Sequence, residues 1–98
     1  MTIEIMTFRL RLETAPETFI AADAVVQAEF SYQQPGIVRR TIATSEDGTW
    51  LIHTVWQSDT DAQAAAEAFT ASDLGTDFLA MIDDTTIEVQ TFTPAGAA

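Results

Sequence analysis

The chain has 98 residues, of which 47% are apolar and nine are aromatic, so we expect one domain with a single core and no second domain. Fifteen Asp and Glu residues against four Arg and no Lys give a formal charge of -11, which would repel nucleic-acid phosphates and anionic membranes, so neither is expected as a partner. The sequence has no cysteine, which excludes disulfides and thiolate chemistry. It has no signal peptide and no long apolar run, so a cytoplasmic location is expected.

Hydrophobic periodicity predicts a first strand over residues 2–12 and a first helix over residues 15–34, with Pro16 in the first turn of that helix. The apolar residues that recur at three- and four-residue spacing form its buried stripe: Phe19, Ala22, Val26 and Phe30. Asp23 and Gln27 are expected to face water.

Five further elements are predicted in chain order: strands over residues 37–45 and 49–57, helices over 59–72 and 76–82, and a last strand over 85–92. Gly48 suits a tight turn between the two strands, and Ser58 suits the cap of the helix that follows. The many alanines of that helix predict close packing on the sheet. We assign residues 1–93 to a single domain and expect residues 94–98 to be a disordered tail.

The order β-α-β-β-α-β is that of the ferredoxin-like fold, an α+β arrangement in which a four-stranded antiparallel sheet carries both helices on one face. Side chains alternate between the two faces of a strand, and both sets of positions in these strands carry large apolar residues. One set consists of Phe8, Leu10, Ile52 and Trp56. The other set consists of Ile3, Ile5, Leu51, Val55, Ile87 and Val89. Two helices can cover one face only, and an uncovered apolar face is larger than monomers usually tolerate. We therefore predict a homodimer that pairs through the second sheet face.

Four segments carry a resemblance to a known family: Phe8-Arg9-Leu10, Gln34-Pro35-Gly36, Asp47-Gly48-Thr49-Trp50, and Val55-Trp56-Gln57-Ser58 with the alanine-rich stretch after it. In these segments the chain resembles the antibiotic biosynthesis monooxygenase-like group of the dimeric α/β-barrel superfamily. The resemblance covers nearly the whole chain and implies that fold. It does not fix a reaction, because the superfamily is known to include cofactor-free oxygenases, haem-degrading enzymes, isomerases and decarboxylases.

His53 and Tyr32 are the candidate catalytic residues. His53 is the only histidine and could act as a general acid or base, although a hydrogen-bonded core or interface histidine is the alternative. Tyr32 could bring a hydroxyl group to the mouth of a pocket, or it could lie on the surface. The aromatic residues that could wall such a pocket, or could be ordinary core, are Phe8, Trp50, Trp56, Phe69 and Phe78. No cofactor site and no metal site is predicted.

The family resemblance also bears on haem breakdown, for which the haem-degrading relatives use an Asn on the first strand and a Trp and a His on the second helical segment. This first strand has no Asn, Phe69 stands at the place that resembles the Trp site, and residues 76–82 contain no His. Haem breakdown is therefore not expected.

Three hypotheses remain. The first is a dimer that binds a small aromatic or polyketide-like compound and acts as a cofactor-free monooxygenase, in which the protein supplies little beyond a pocket and a proton acceptor. The second is a non-catalytic binding or structural dimer of the same fold. The third is an isomerase or decarboxylase of polyketide-type acids, which would need a carboxylate-binding Arg and a proton-transfer residue such as His53 in one cavity.

Overall fold

The structure is a computed structural model that describes residues 1–96. Four strands are present: β1 (Thr2–Leu10), β2 (Ile37–Thr44), β3 (Trp50–Trp56) and β4 (Ile82–Phe92). Three helices are present in the described part of the chain: α1 (Pro16–Glu29), α2 (Asp59–Thr70) and α3 (Asp73–Leu79), with a short 3-10 turn at Ser31–Gln33. The predicted βαββαβ order is confirmed. Residues 93–96 form neither helix nor strand, and the last two residues of the predicted tail lie outside the described residues.

The strands form one antiparallel sheet in the order β2-β3-β1-β4, so the first strand of the chain lies between the third and the last. The pairing places residues of neighbouring strands side by side, in rows that cross the sheet. Because side chains alternate between the two faces, each row belongs to one face of the sheet.

The helices cover the face that carries Phe8 of β1 and Trp50 of β3. Phe19 of α1 contacts both rings edge to face, with centroid distances of 5.6 Å to Phe8 and 5.1 Å to Trp50. Phe8 and Phe19 are almost fully buried, as is Ile82 at the start of β4. Aromatic pairs in this geometry add to the free energy gained from burying their area. The sequence prediction that both helical segments share one face is therefore confirmed.

The predicted faces of Ile87 and Val89 are wrong. Val89 pairs in register with Met6, which faces the helices, and Ile87 has the same parity and packs against the core. The pairing of β1 with β4 shifts between Thr7 and Arg9, so the alternation within β4 alone cannot assign its faces. The large apolar residue of β4 that joins the open face is Phe92, opposite Ile3.

Asp23 of α1 is buried, which contradicts the prediction that it faces water. Its carboxylate accepts two hydrogen bonds from the guanidinium group of Arg40 on β2, at 2.6 and 3.1 Å. Gln27, one turn along the helix, accepts a third at 3.2 Å. This ion pair connects α1 to β2 of the sheet, and both of its side chains are only 5% exposed.

The end of α2 and the start of α3 are separated by a single tight turn. Ser72 caps α3, because its hydroxyl group accepts a hydrogen bond from the backbone N–H of Gly75 at 2.9 Å. The helix therefore begins at Asp73, three residues earlier than predicted, and the Asp73-Leu74-Gly75 segment belongs to it. At the start of α2, Ser58 is the predicted cap and accepts a hydrogen bond from Asp61 N.

The β2–β3 hairpin turns at Gly48, which has a φ of +87° that favours glycine. Asp47 organises this turn: the Ser45 hydroxyl and the Thr49 backbone N–H both donate to its carboxylate. These hydrogen bonds lower the pKa of Asp47 to about 2. Arg9 of β1 donates to the carbonyl oxygen of Asp47 at 2.8 Å, which fastens the turn to the central strand.

Candidate functional site

The core has two parts with a cavity between them. The larger cluster surrounds Phe8, Phe19 and Phe78, and the smaller one consists of Trp56 of β3 with Ala62 and Ala65 of α2. The cavity has a volume of about 320 Å³ and is lined by residues of both clusters. Ligand sites in proteins start at about this volume, so one small molecule fits.

The floor of the cavity is formed by the sheet. Ile52 of β3, Met6 of β1 and Val89 of β4 lie in one row, since Met6 pairs in register with both of the others. The walls are largely aromatic: Phe69 packs on Phe30 at 5.0 Å and on Phe78 at 5.8 Å between ring centroids. A flat, apolar molecule would meet apolar groups on most sides.

Helix α2 leaves this space open because it presents small side chains to it. Ala62, Ala65 and Ala66 line the cavity, and a larger residue at any of them would project into it. We expected these alanines to bring the helix close to the sheet. Ala62 and Ala65 do pack on Trp56 of the sheet, and together with Ala66 they also border an unfilled volume.

A second row of the sheet brings polar groups to the cavity. Arg40 of β2 and Glu4 of β1 both pair in register with Thr54 of β3, and Thr91 of β4 pairs with Glu4. Both charged residues, Arg40 and Glu4, line the cavity. This row lies directly beside the apolar floor row, so a ligand resting on the floor can reach it.

Glu4 is half-buried, and burial raises the pKa of its carboxyl group above the ordinary value. The indole N–H of Trp56 lies near enough to oppose part of this increase in pKa. It nevertheless makes no hydrogen bond of standard geometry with any described residue, although its nitrogen is buried. The cavity therefore has a carboxylate of increased basicity and, near it, a buried N–H donor that makes no hydrogen bond of standard geometry with the described residues.

Arg40 is the other charged residue at the cavity, and its guanidinium group is already engaged. Asp23 and Gln27 accept three of its hydrogen bonds. Its positive charge is thus paired with the carboxylate of Asp23, which makes it a poor binding group for a second carboxylate.

The predicted pocket residues divide into two groups. Trp56, Phe69 and Phe78 line the cavity. Phe8 and Trp50 are buried in the core beneath Phe19 and do not line it.

The two predicted catalytic residues lie away from the cavity. His53 pairs in register with Ile5 and Thr41 on the opposite face of the sheet. Tyr32 is 43% exposed, and its hydroxyl group accepts a hydrogen bond from Arg40 N at 2.9 Å. The structure therefore does not bring either side chain together with the aromatic pocket residues.

Glu4 and Arg40 were missed as site residues. Glu4 shares the parity of Met6 and Phe8, so the sequence does carry a signal: a carboxylate at a position that alternation assigns to the apolar face. Arg40 likewise shares the parity of Ile42 in β2, but the sequence does not link it to its partner Asp23, which lies 17 residues away on another element.

Two further properties concern the residues that the structure describes. None of the helices in residues 1–96 has the length and apolar character needed to cross a membrane. Within the same range, His, Asp and Glu side chains do not gather in groups of three or more that could hold a metal ion.

The order of the elements and the sheet topology define a ferredoxin-like α+β domain. SnoaB, a cofactor-independent oxygenase from Streptomyces nogalater, is similar to this chain with a TM-score of 0.77 and 24% identity, over 98% of this chain and 94% of that chain. A Nitrosomonas europaea protein provisionally named an antibiotic biosynthesis monooxygenase has a TM-score of 0.75 and 17% identity, over 98% and 100% of the two chains.

An uncharacterized NIPSNAP domain protein from Burkholderia xenovorans is also similar, with a TM-score of 0.72 and 16% identity, over 100% of this chain and 98% of that chain. No family model matches the chain, and no curated protein is significantly similar to it in sequence. The likeness confirms the predicted fold, and at the level of the fold it supports the resemblance to the antibiotic biosynthesis monooxygenase-like group.

Proposed function

We propose that the protein binds a small aromatic or polyketide-like compound in the cavity between helices and sheet, and oxygenates it without a cofactor. The observation that carries this proposal is the apolar cavity of about 320 Å³, with a carboxylate of raised pKa at its edge. The likeness in fold to a cofactor-independent oxygenase supports it.

The proposed reaction uses the acidity of the substrate. A CH2 group beside an aromatic ring loses one proton, and the electron pair left on carbon reduces O2 to form a C–O bond. The resulting peroxide takes up a proton and then loses water as the second C–H bond breaks. One oxygen atom of O2 ends in a carbonyl group and the other in water, and an apolar cavity protects the carbanion from water until O2 arrives.

The test uses 1,8-dihydroxyanthrone, a flat three-ring compound with such a CH2 group. We expect it to quench the fluorescence of Trp56 on anaerobic binding, and to consume one O2 per molecule when air is admitted, faster than in buffer alone. With labelled O2, one labelled atom should enter the product. Failure to bind the anthrone would refute the proposal, and binding without oxygen uptake would favour the non-catalytic binding protein.

The third hypothesis, an isomerase or decarboxylase of polyketide-type acids, is less well supported by the site. It requires a carboxylate-binding Arg and a proton-transfer residue in one cavity, and the groups predicted for these two roles are an Arg and His53. Arg40 is paired with Asp23, and His53 lies on the opposite sheet face. Neither of these required groups is therefore free at the cavity.

We also propose that two copies pair through the open sheet face. Val55, Ile3 and Phe92 form one row there, and Phe92 is 45% exposed. Leu51 and Ile5 belong to the next rows of the same face. A second sheet would remove this apolar surface from water.

Light scattering at micromolar concentration tests the assembly, and we expect the mass of two chains. Ile5→Glu places a charge in the centre of the open face and should give a monomer. A wild-type protein with the mass of one chain would contradict the pairing.

A further inference from the structure

We propose that Glu4 is the group that accepts the substrate proton in this cavity, and that the indole N–H of Trp56 donates a hydrogen bond to the substrate oxygen. This assignment deepens the proposed function and rests on it for the class of substrate. It replaces His53 and Tyr32, which lie elsewhere, with two residues that line the cavity.

The sheet register places the two groups side by side. Glu4 on β1 pairs with Thr54 on β3, and Trp56 is two residues further along β3 on the same face. Residues in this diagonal relationship lie within reach of each other when their side chains are long. A substrate that contacts one of them can therefore contact the other.

Glu4 is the one carboxylate among the described residues that line the cavity. The other charged residue there, Arg40, has its charge paired with Asp23. A proton released in the cavity thus has Glu4 as its acceptor. Because burial holds the pKa of Glu4 above the ordinary value, its carboxylate is a stronger base than a carboxylate in water.

Trp56 supplies an independent observation. The residue is 6% exposed, and its ring nitrogen is buried without a hydrogen-bond partner among the described residues. A buried donor without an acceptor is rare and unfavourable in a folded protein. A ligand oxygen placed in the cavity would accept a hydrogen bond from this N–H. Binding of such a ligand would explain why the donor is buried at this position.

The proton transfer is balanced within the site. The substrate C–H or O–H bond breaks, its proton binds to a carboxylate oxygen of Glu4, and the electron pair stays on the substrate. The negative charge that spreads to the substrate oxygen is held by the Trp56 N–H. Glu4 later returns the proton to the outer oxygen of the peroxide. The O–O bond and the second C–H bond then break, the outer oxygen leaves as water with both hydrogens, the inner oxygen stays as the carbonyl group, and the carboxylate of Glu4 is restored.

The first experiment measures the rate of O2 uptake with 1,8-dihydroxyanthrone as a function of pH. The wild-type rate should rise with pH through the pKa of Glu4. Glu4→Gln should lower the rate by about 100- to 10,000-fold and remove this step from the pH profile, and Glu4→Asp should recover part of it. Glu46→Gln, which changes an exposed carboxylate in the hairpin turn, should leave both the rate and its pH profile unchanged.

Trp56→Phe keeps an aromatic ring at the same position and removes the N–H. Because the variant lacks the fluorescence of Trp56, binding to both proteins is measured by equilibrium dialysis without oxygen. The substitution should weaken anthrone binding by about tenfold, the loss expected for one hydrogen bond. If the affinity for the anthrone is unchanged, Trp56 does not donate a hydrogen bond to the substrate. A Glu4→Gln variant with the wild-type rate and pH profile would overturn the assignment of Glu4, while the proposed oxygenase function would stand.

A second measurement does not depend on turnover. The carboxyl 13C resonance of Glu4 should titrate above the ordinary Glu range and should respond when the anthrone binds without oxygen. If the anthrone binds but no oxygen is consumed, this response supports the assignment of Glu4 and the oxygenase proposal alone fails. If the resonance does not change when the anthrone binds, or if the anthrone does not bind, the assignment of Glu4 fails.

Discussion

Glu4 and Arg40 share a row of the sheet, each paired in register with Thr54, and both line the cavity. Two strand spacings, about 10 Å, separate their backbones. The guanidinium group of Arg40 does not lower the pKa of Glu4, which is set by burial and by the Trp56 N–H. The charge of Arg40 is paired with Asp23, and burial is the largest influence on the pKa of Glu4.

Replacing Asp23 by Ala should destabilise the fold strongly. The side chains of the Asp23–Arg40 pair are only 5% exposed, and the substitution leaves a buried guanidinium charge without its carboxylate. Removal of one partner from such a pair costs about 3–5 kcal/mol. Urea unfolding measures the loss, with Asp77→Ala on the exposed side of α3 as the matched control. A loss below about 1 kcal/mol, the upper range for exposed pairs, would show that the pair is not effectively buried.

The Glu4→Gln variant should gain stability relative to the wild type as pH rises. The pKa of Glu4 is raised in the folded state, so its contribution to stability is complete below the ordinary value of 4.5 and is lost as pH rises through the folded-state pKa. The wild type should lose stability over that window and the variant should not. Urea midpoints of the wild type and the variant at about pH 4 and about pH 7 measure the difference. If the midpoints of the two proteins differ by the same amount at both pH values, the raised pKa is contradicted.

Ala66→Leu should weaken ligand binding and leave the fold intact. Ala66 lines the cavity but is itself exposed, so the larger side chain extends into the open volume without displacing buried neighbours. Anthrone affinity should fall by at least about tenfold, since a misfit of even one methylene group in an apolar pocket is worth about 1–3 kcal/mol. Ala64→Leu on the same helix does not border the cavity and is the control. Equal affinities for the two variants would place the ligand elsewhere.

Gly75→Ala should destabilise the protein although alanine favours helices. A Cβ atom on Gly75 would overlap the backbone carbonyl oxygen of Phe69, where α3 starts against the end of α2. We expect a loss of about 1–3 kcal/mol, as for other overpacked sites. Gly96→Ala has open space around its Cβ and should change stability by less than about 0.5 kcal/mol. Thermal unfolding compares the two, and an unchanged Gly75→Ala protein would show that the turn can move.

Much of the fold follows from local pattern. Alternation in β1 assigns Phe8 to the covered face, and Ser58 marks the start of α2. The errors occur where local pattern is weak. Helix α1 is apolar on nearly every side, with Ile20 and Val25 exposed, so periodicity alone does not show that Asp23 is buried. In β4 the register with β1, which no local pattern contains, decides which face each side chain takes.

The site was predicted less well than the fold, because a cavity depends on what the neighbours leave empty. The aromatic residues Trp56, Phe69 and Phe78 could be selected from composition, but only their packing separates them from Phe8 and Trp50. The choice of His53 rested on its chemistry and not on its face. A test of parity at every titratable residue of the strands would have selected Glu4.

The strand order has a consequence for how the protein folds. β2 and β3 are joined by a short turn and can pair early, whereas β1 pairs with β4 across almost the entire chain, for example at Glu4 and Thr91. Contacts between residues so far apart in sequence form slowly, because a long loop must close first. We therefore expect Glu4 to remain in water until the last strand closes the sheet, so that the binding cavity is the last part of the molecule to assemble.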